Sequence, residues 1–193
     1  NLLHRYKPGF PTPRRARNDP WTAIKDLDQD DLDKESNLLL RVLILLLVGK
    51  YRGFRVFFGL EHPEDPEKNP LIKKRWLTEQ EASTPCCSFW ATKVFEEVKK
   101  ILGGPLQSFD QGALGHETKK PTSFWTDLMV SLDGIRKFGK QNTAYDLKSE
   151  NLARWAPGFR SAVAVAIGEL IPDILKLASK TEGIEIEEVE CAN

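Results

Sequence analysis

The run Leu38–Val48, LLLRVLILLLV, limits what this chain can become more than any other part of it. A stretch this apolar has to leave water, yet it is only about two-thirds the length of a membrane-spanning helix, and it contains Arg41. It reads as a helix of a protein core, almost entirely buried. Acidic residues crowd its start, from Asp26 to Glu35, and Gly49 and Gly53 mark its exit, so the spacing predicts a helix from about Asp31 to Lys50. A chain of 193 residues, 40% hydrophobic and 29% charged, is long enough to wrap one domain around such a helix.

The segments after this helix define the fold class. Phe54–Leu60, FRVFFGL, is aromatic and β-branched and leaves room for no more than a short turn before it, so it predicts a central strand with Glu61 at its C-terminal end. The proline-rich stretch from His62 to Cys87 is a long connection. Ser88–Leu102 places Phe89, Val94, Phe95, Val98, Ile101 and Leu102 largely on one helical face and stops at Gly103 and Gly104. LQSFD (106–110) and TSFWTDL (122–128) flank a loop, as in an irregular hairpin, and an Ala-rich helix with Pro172 inside it closes the domain. This alternation of helix and strand predicts an α/β, Rossmann-like three-layer sandwich with an antiparallel hairpin at one end of its sheet.

Three regions are expected: an extended basic arm (1–30), the α/β domain (31–182) and an acidic tail (183–193). The arm holds Arg14, Arg15 and Arg17 among prolines and reads as mobile and solvated, able to follow a nucleic-acid backbone. Lys plus Arg and Asp plus Glu number 28 each, so net charge selects neither a nucleic acid nor a membrane partner. Cys86, Cys87 and Cys191 have no metal-ligand spacing and form no even disulfide framework, which predicts no metal site and suits an intracellular, reducing setting. The five tryptophans are expected to pack. Asn1 in place of an initiator Met points to a chain that begins mid-protein.

The position of Glu61 raises the question of function, because open α/β sheets hold ligands outside the carboxyl ends of their strands. The competing reading is a carboxylate that merely caps or solvates the strand end. Pro20–Trp21, an acidic helix start with Asn37, LEHP at 60–63, FWATKVFEE after it, and FDQGALGHETKKPTSFWTDL at 109–128 occur in one order. In that order the chain resembles DNA cytosine carbon-5 methyltransferase-like proteins over most of residues 14–167, most closely at LEHP and GHETKKPT.

The resemblance implies a Glu that holds the target cytosine, here Glu61, followed by His62 where the family has asparagine. It also implies a basic hairpin that meets the nucleic acid. Here that hairpin carries Gln111, His116, Lys119, Lys120 and Thr122, with lysines where arginine is commoner. The implied chemistry is a carboxyl hydrogen-bonded to cytosine ring nitrogen 3 while a cysteine adds to carbon 6, after the base is flipped from the duplex.

The glycine-rich cofactor turn and the Pro-Cys nucleophile of the family do not precede LEHP in this chain. The expectation is therefore the C-terminal half of an S-adenosylmethionine-dependent methyltransferase-like domain, inactive alone. It would use the cofactor only when joined to its missing N-terminal half and would act on DNA, with the nucleus as a compatible location and no membrane or metal. The alternatives are a non-catalytic nucleic-acid- or protein-binding module and a pseudoenzyme that keeps only the fold. Cys86, next to Pro85, lies after the Glu61 strand, and packing beside Phe89 is the expected role there.

Overall fold

The computed structural model describes residues 15–24, 29–68, 85–117, 119–135 and 154–182, the side chains of 178–182 excepted. A strand pair opens it: β1 (Arg15–Ala16) lies antiparallel to β3 (Cys86–Cys87). The first helix, α1, spans Gln29–Tyr51 with Asp30 and Asp31 in its first turn and Lys50 in its last, charges that suit the helix dipole at each end. The second, α2, spans Lys93–Leu102. Thr92 caps it by accepting the Phe95 amide at 3.3 Å, directly after the 3-10 turn Phe89–Ala91. The third, α3, spans Pro157–Glu182 and carries Pro172 inside it.

Three strands make the main sheet. They are β2 (Gly59–Pro63), β4 (Leu106–Asp110) and β5 (Pro121–Thr126), in the order β2-β5-β4 with both pairings antiparallel. The expected hairpin is present and shares its sheet with the strand after α1. That strand is displaced, however: it begins at Gly59 and not at Phe54, and it lies at the sheet edge, not the centre. The reason is local, since the Phe58 carbonyl accepts the Thr126 hydroxyl at 2.7 Å and the Phe58 amide donates to Asp127 Oδ1 at 2.8 Å. Side-chain bonds thus fasten the strand's entrance, and ladder pairing starts one residue later. Pro63 is tolerated because it ends an edge strand.

Each face of the sheet carries a core. On one, Leu39 and Leu43 of α1 and Phe95 and Val98 of α2 surround Trp125, with Phe58, Phe89 and Trp90. Trp125 is fully buried, its ring 4.2 Å from Phe58 and 5.2 Å from Phe95, and its Nε1 donates to the Gly103 carbonyl at 2.9 Å. On the other face Phe109 and Phe124 meet Phe159, Val163 and Ala166 of α3. The strand pleat sorts them, sending Phe124 to one core and its neighbour Trp125 to the other. The fold is mixed α/β, with helices on both faces of a small antiparallel sheet. Gly104 allows the turn between α2 and β4: its φ is +82°, and a Cβ there would stand 2.6 Å from the Thr126 carbonyl oxygen.

Two expectations about exposure are corrected. Only one face of α1 meets the sheet, so Leu38, Leu45 and Tyr51 are 64%, 70% and 78% exposed, and the helix is far from entirely buried. The segment around Arg15 is no mobile arm, because β1 is tied to β3 and Ala16 N donates to Thr22 O at 3.0 Å. Trp90 and Trp125 are buried, Trp155 packs on the α3 side, Trp21 is 36% exposed, and Trp76 lies outside the described residues. No helix among the described residues is long and apolar enough to cross a membrane.

Candidate functional site: a carboxylate cluster on each face of the sheet

Successive residues of a strand point to opposite faces, so Glu61 and His62 separate into different sites. Glu61 pairs across the ladder with Phe124 and shares the α3 face, while His62 pairs with Ser123 and shares the α1 face. His62, which stands where the resemblance has asparagine, therefore points away from the Glu61 carboxylate. Glu61 itself lies in the middle of β2, not beyond the strand's end.

The Glu61 carboxylate is held from the β4–β5 connection. Gln111 opens the 3-10 turn Gln111–Leu114, whose N-cap Asp110 accepts the Gly112 amide at 2.8 Å and the Lys120 amide at 2.9 Å. This folds the loop back on itself and brings its two ends over β2. Gln111, fully buried, then spends its whole amide on three contacts. Its Nε2 donates to Glu61 Oε1 at 3.2 Å and Thr122 Oγ1 at 3.0 Å, and its Oε1 accepts the Ala156 amide at 2.8 Å. Lys120 Nζ stands 3.5 Å from Glu61 Oε1, with the two side chains only 9% and 16% exposed. Thr122 Oγ1 donates to the Lys120 carbonyl at 2.9 Å.

Residues of LEHP and of the loop motif thus converge on one buried polar cluster. The assembly does not include the whole basic hairpin. Lys120 is turned inward on Glu61 and is not presented to solvent, Lys119 is half-buried, and His116 is buried with its amide donating to Gln111 O at 3.0 Å. The expectation that Lys120 reaches a phosphate backbone is corrected by this pairing, because its ammonium neutralises the nearby carboxylate.

A second cluster lies on the α1 face. Glu35 of α1 reaches His62 Nε2 at 2.9 Å through Oε1, and the same oxygen accepts Arg15 Nη2 at 2.9 Å. Arg15 Nη1 donates to Pro20 O and to Ser36 Oγ, both at 3.0 Å, and the guanidinium lies 5.6 Å from the Phe89 ring centroid. Arg15 is 2% exposed. The expected role of Arg15 on a nucleic-acid backbone is therefore corrected: the residue is buried and both of its Nη atoms bond within the protein. Arg17 is exposed, with its amide donating to Pro85 O at 3.1 Å, and Arg14 lies outside the described residues. Glu35 went unrecognised in the sequence because it belongs to an acidic block that reads as a helix start.

Glu35 carries a pH signature. Burial would raise its carboxyl, but the His62 hydrogen bond, the His62 charge and the Arg15 guanidinium outweigh burial and bring it from 4.5 to about 2. A carboxyl with a depressed folded value stabilises the fold above its unfolded value, and that stabilisation is withdrawn as pH falls through the folded one. The wild-type urea midpoint should thus fall more steeply than that of Glu35→Gln between pH 4.5 and about 2. Parallel curves would remove Glu35 from the acid response.

Both cysteines among the described residues, Cys86 and Cys87, are buried. Burial, with Asp65 nearby, pushes the Cys87 thiol up from 9.0 to about 11, and its Sγ lies 3.6 Å from Ala16 O. Cys86 is a buried residue of β3. Among the described residues no three His, Cys, Asp or Glu side chains gather as a metal site. Comparison of the chain with protein-family models, with curated proteins and with solved structures finds no match.

Proposed function

We propose that this chain is the C-terminal half of an S-adenosylmethionine-dependent DNA cytosine methyltransferase-like domain, with Glu61 as its base-contacting carboxyl. The supporting observation is the convergence of Glu61 with Lys120 and Thr122, residues of the two segments that resemble that family most closely, and with Gln111 of the wider loop motif. In this reading the antiparallel β4–β5 hairpin is the end of a larger Rossmann-like sheet. Glu61 would hydrogen-bond cytosine ring nitrogen 3, with Gln111 and Lys120 fixing the carboxyl's orientation and Lys119 and Arg17 nearest the phosphates.

The cofactor would supply the methyl group, but the chain has no glycine-rich strand-to-helix turn to hold it before LEHP. In this reading cofactor and nucleophile would come from another polypeptide segment.

One observation favours a second reading, a pseudoenzyme or binding module that keeps the fold. The Glu61 carboxylate is already engaged by Lys120 and Gln111, so a base must displace an internal contact to reach it. Transfer of labelled methyl groups to cytosine-containing DNA separates the readings. Residues 1–193 alone should give none, and the same chain joined to the segment that precedes it in its reading frame should give transfer. Absence of transfer from the joined protein would support the pseudoenzyme. Transfer by residues 1–193 that Cys86→Ala abolishes would overturn both.

A further inference from the structure

The outer face of α1 changes character along its length. Its first half is polar, with Asp30, Asp33, Lys34 and Asn37 exposed. Its second half is apolar: Leu38, Leu45 and Tyr51 are joined there by Ile44 and Val48, and the turn that follows adds Phe54, these last three at 57%, 48% and 67% exposure. The turn is a fixed one. Gly53 N donates to Lys50 O and Phe54 N to Gly49 O, both at 3.0 Å, and Gly53 has φ +76°, the pattern of a Schellman closure. In that closure the residue after the glycine ordinarily packs back on the last turn of the helix. Here the position it would cover is Gly49, where a Cβ would stand 2.6 Å from Val56 Cγ2, so Phe54 is left in solvent.

Charge follows the same division. The 28 cations and 28 acids of the chain balance overall, but no acid lies between Asn37 and Leu60. Of the four cations in that stretch, Arg55 is offset by Asp173 of α3, 3.8 Å away. The other three, Arg41, Lys50 and Arg52, are exposed, and none of them has an ion pair among the described residues. Ile44, Leu47, Val48 and Tyr51 also line an open hollow with Arg52 at its margin.

Exposed aliphatic side chains, unpaired cations among them and two aromatic rings at the tip define the chemistry of what fits. A single strand of nucleic acid would use the rings and the cations but none of the aliphatic side chains. A second copy on the same face would bring Arg41 and Arg52 against their own equivalents. An anionic lipid interface uses all three kinds of group: aliphatic side chains enter the boundary of the acyl chains, Tyr and Phe rings lie at headgroup level, and Lys and Arg meet lipid phosphates. The contact is one of surface, since no helix among the described residues is long and apolar enough to cross a membrane.

We propose that the second half of α1 and the turn after it, from Arg41 to Phe54, dock the protein on an anionic membrane surface. Ile44, Val48, Tyr51 and Phe54 enter the interface, and Arg41, Lys50 and Arg52 meet the lipid phosphates. The proposal departs from the expectation of no membrane partner. It is independent of the methyltransferase-like reading, because α1 covers the sheet face opposite the Glu61 cluster.

Flotation of the full chain with vesicles tests it, using phosphatidylcholine alone and equal parts phosphatidylcholine and phosphatidylserine. The chain should bind the mixed vesicles, bind the neutral ones at least about tenfold more weakly, and come off as salt rises from about 0.1 M to about 1 M. Tyr51→Ser with Phe54→Ser, and separately Arg41→Glu with Arg52→Glu, should each weaken binding at least about tenfold. All four positions are exposed, so both variants should unfold at the wild-type temperature. Hydrogen exchange on the unaltered chain gives a readout free of substitution: mixed vesicles should slow the amides from Tyr51 to Val56 and leave the β4–β5 ladder unchanged. No binding to the mixed vesicles, equal binding to the neutral ones, or variants that bind as wild type would overturn the proposal. So would substitutions that abolish binding to a single-stranded oligonucleotide but not to vesicles, or that only change self-association of the lipid-free protein.

Discussion

Arg15→Ala should destabilise the protein by about 3 kcal/mol, a fall in Tm of about 6–12 °C for a chain of this size. The guanidinium is buried, and its fork ties the Pro20 carbonyl to the adjacent Glu35 carboxylate and Ser36 hydroxyl of α1. Its removal leaves Glu35 with His62 alone and uncovers one side of the Phe89 ring. The value belongs at the lower end of the range for breaking a buried pair, because the Glu35 side chain is 35% exposed and water can partly replace the lost donor. Arg17→Ala, at an exposed position two residues away, should change stability by less than about 0.5 kcal/mol. Thermal unfolding of the two variants decides the matter. Equal effects would return Arg15 to the role of a solvated basic residue.

That contrast also marks where sequence reasoning stops. Both arginines sit in one proline-rich basic stretch, and nothing local distinguishes the one that folds inward. Arg15 is defined by partners up to 21 residues away, and by Cys87 across the β1–β3 pair. The helices and the hairpin were legible because their signals are local: the Leu/Ile/Val run with acids at its start, the one-faced apolar pattern before Gly103, and two short apolar segments around a polar loop.

The strand after α1 was legible as a strand but not in its bounds. Its pairing is set by Phe58 bonding to Thr126 and Asp127, nearly seventy positions distant. Phe54 and its neighbours have high strand propensity and no strand beside them among the described residues, so propensity yielded to the available partners. At the site, Glu61, Gln111, Lys120 and Thr122 were named from the sequence, but the inward turn of Lys120 was not. A lysine in a polar loop ordinarily extends into solvent. Here the Asp110 cap on both Gly112 and Lys120 folds the loop so that the ammonium meets a carboxylate on another strand.

The largest functional effect is expected at Glu61. In the joined protein that carries the upstream segment, Glu61→Gln preserves size and leaves Gln111 and Lys120 in place around an uncharged amide. An amide can still occupy a hydrogen-bonding position opposite cytosine, but it cannot deliver a proton to ring nitrogen 3. That role is worth roughly 100- to 10,000-fold in rate. DNA affinity should be nearly unchanged, because Glu61 does not face the phosphates in this reading. Loss of the Lys120 ion pair leaves a buried ammonium without its carboxylate and should lower Tm as well, so the rate is taken per folded molecule. The decisive measurement is the single-turnover rate of methyl transfer per folded molecule, taken beside the melting temperature, for wild type and Glu61→Gln. A rate per folded molecule reduced by at least about 100-fold, beyond any loss that the lower Tm explains, is the predicted result. An unchanged rate with a clearly lowered Tm would make the Glu61–Lys120 contact a structural tie between β2 and the hairpin loop, and would contradict the assignment.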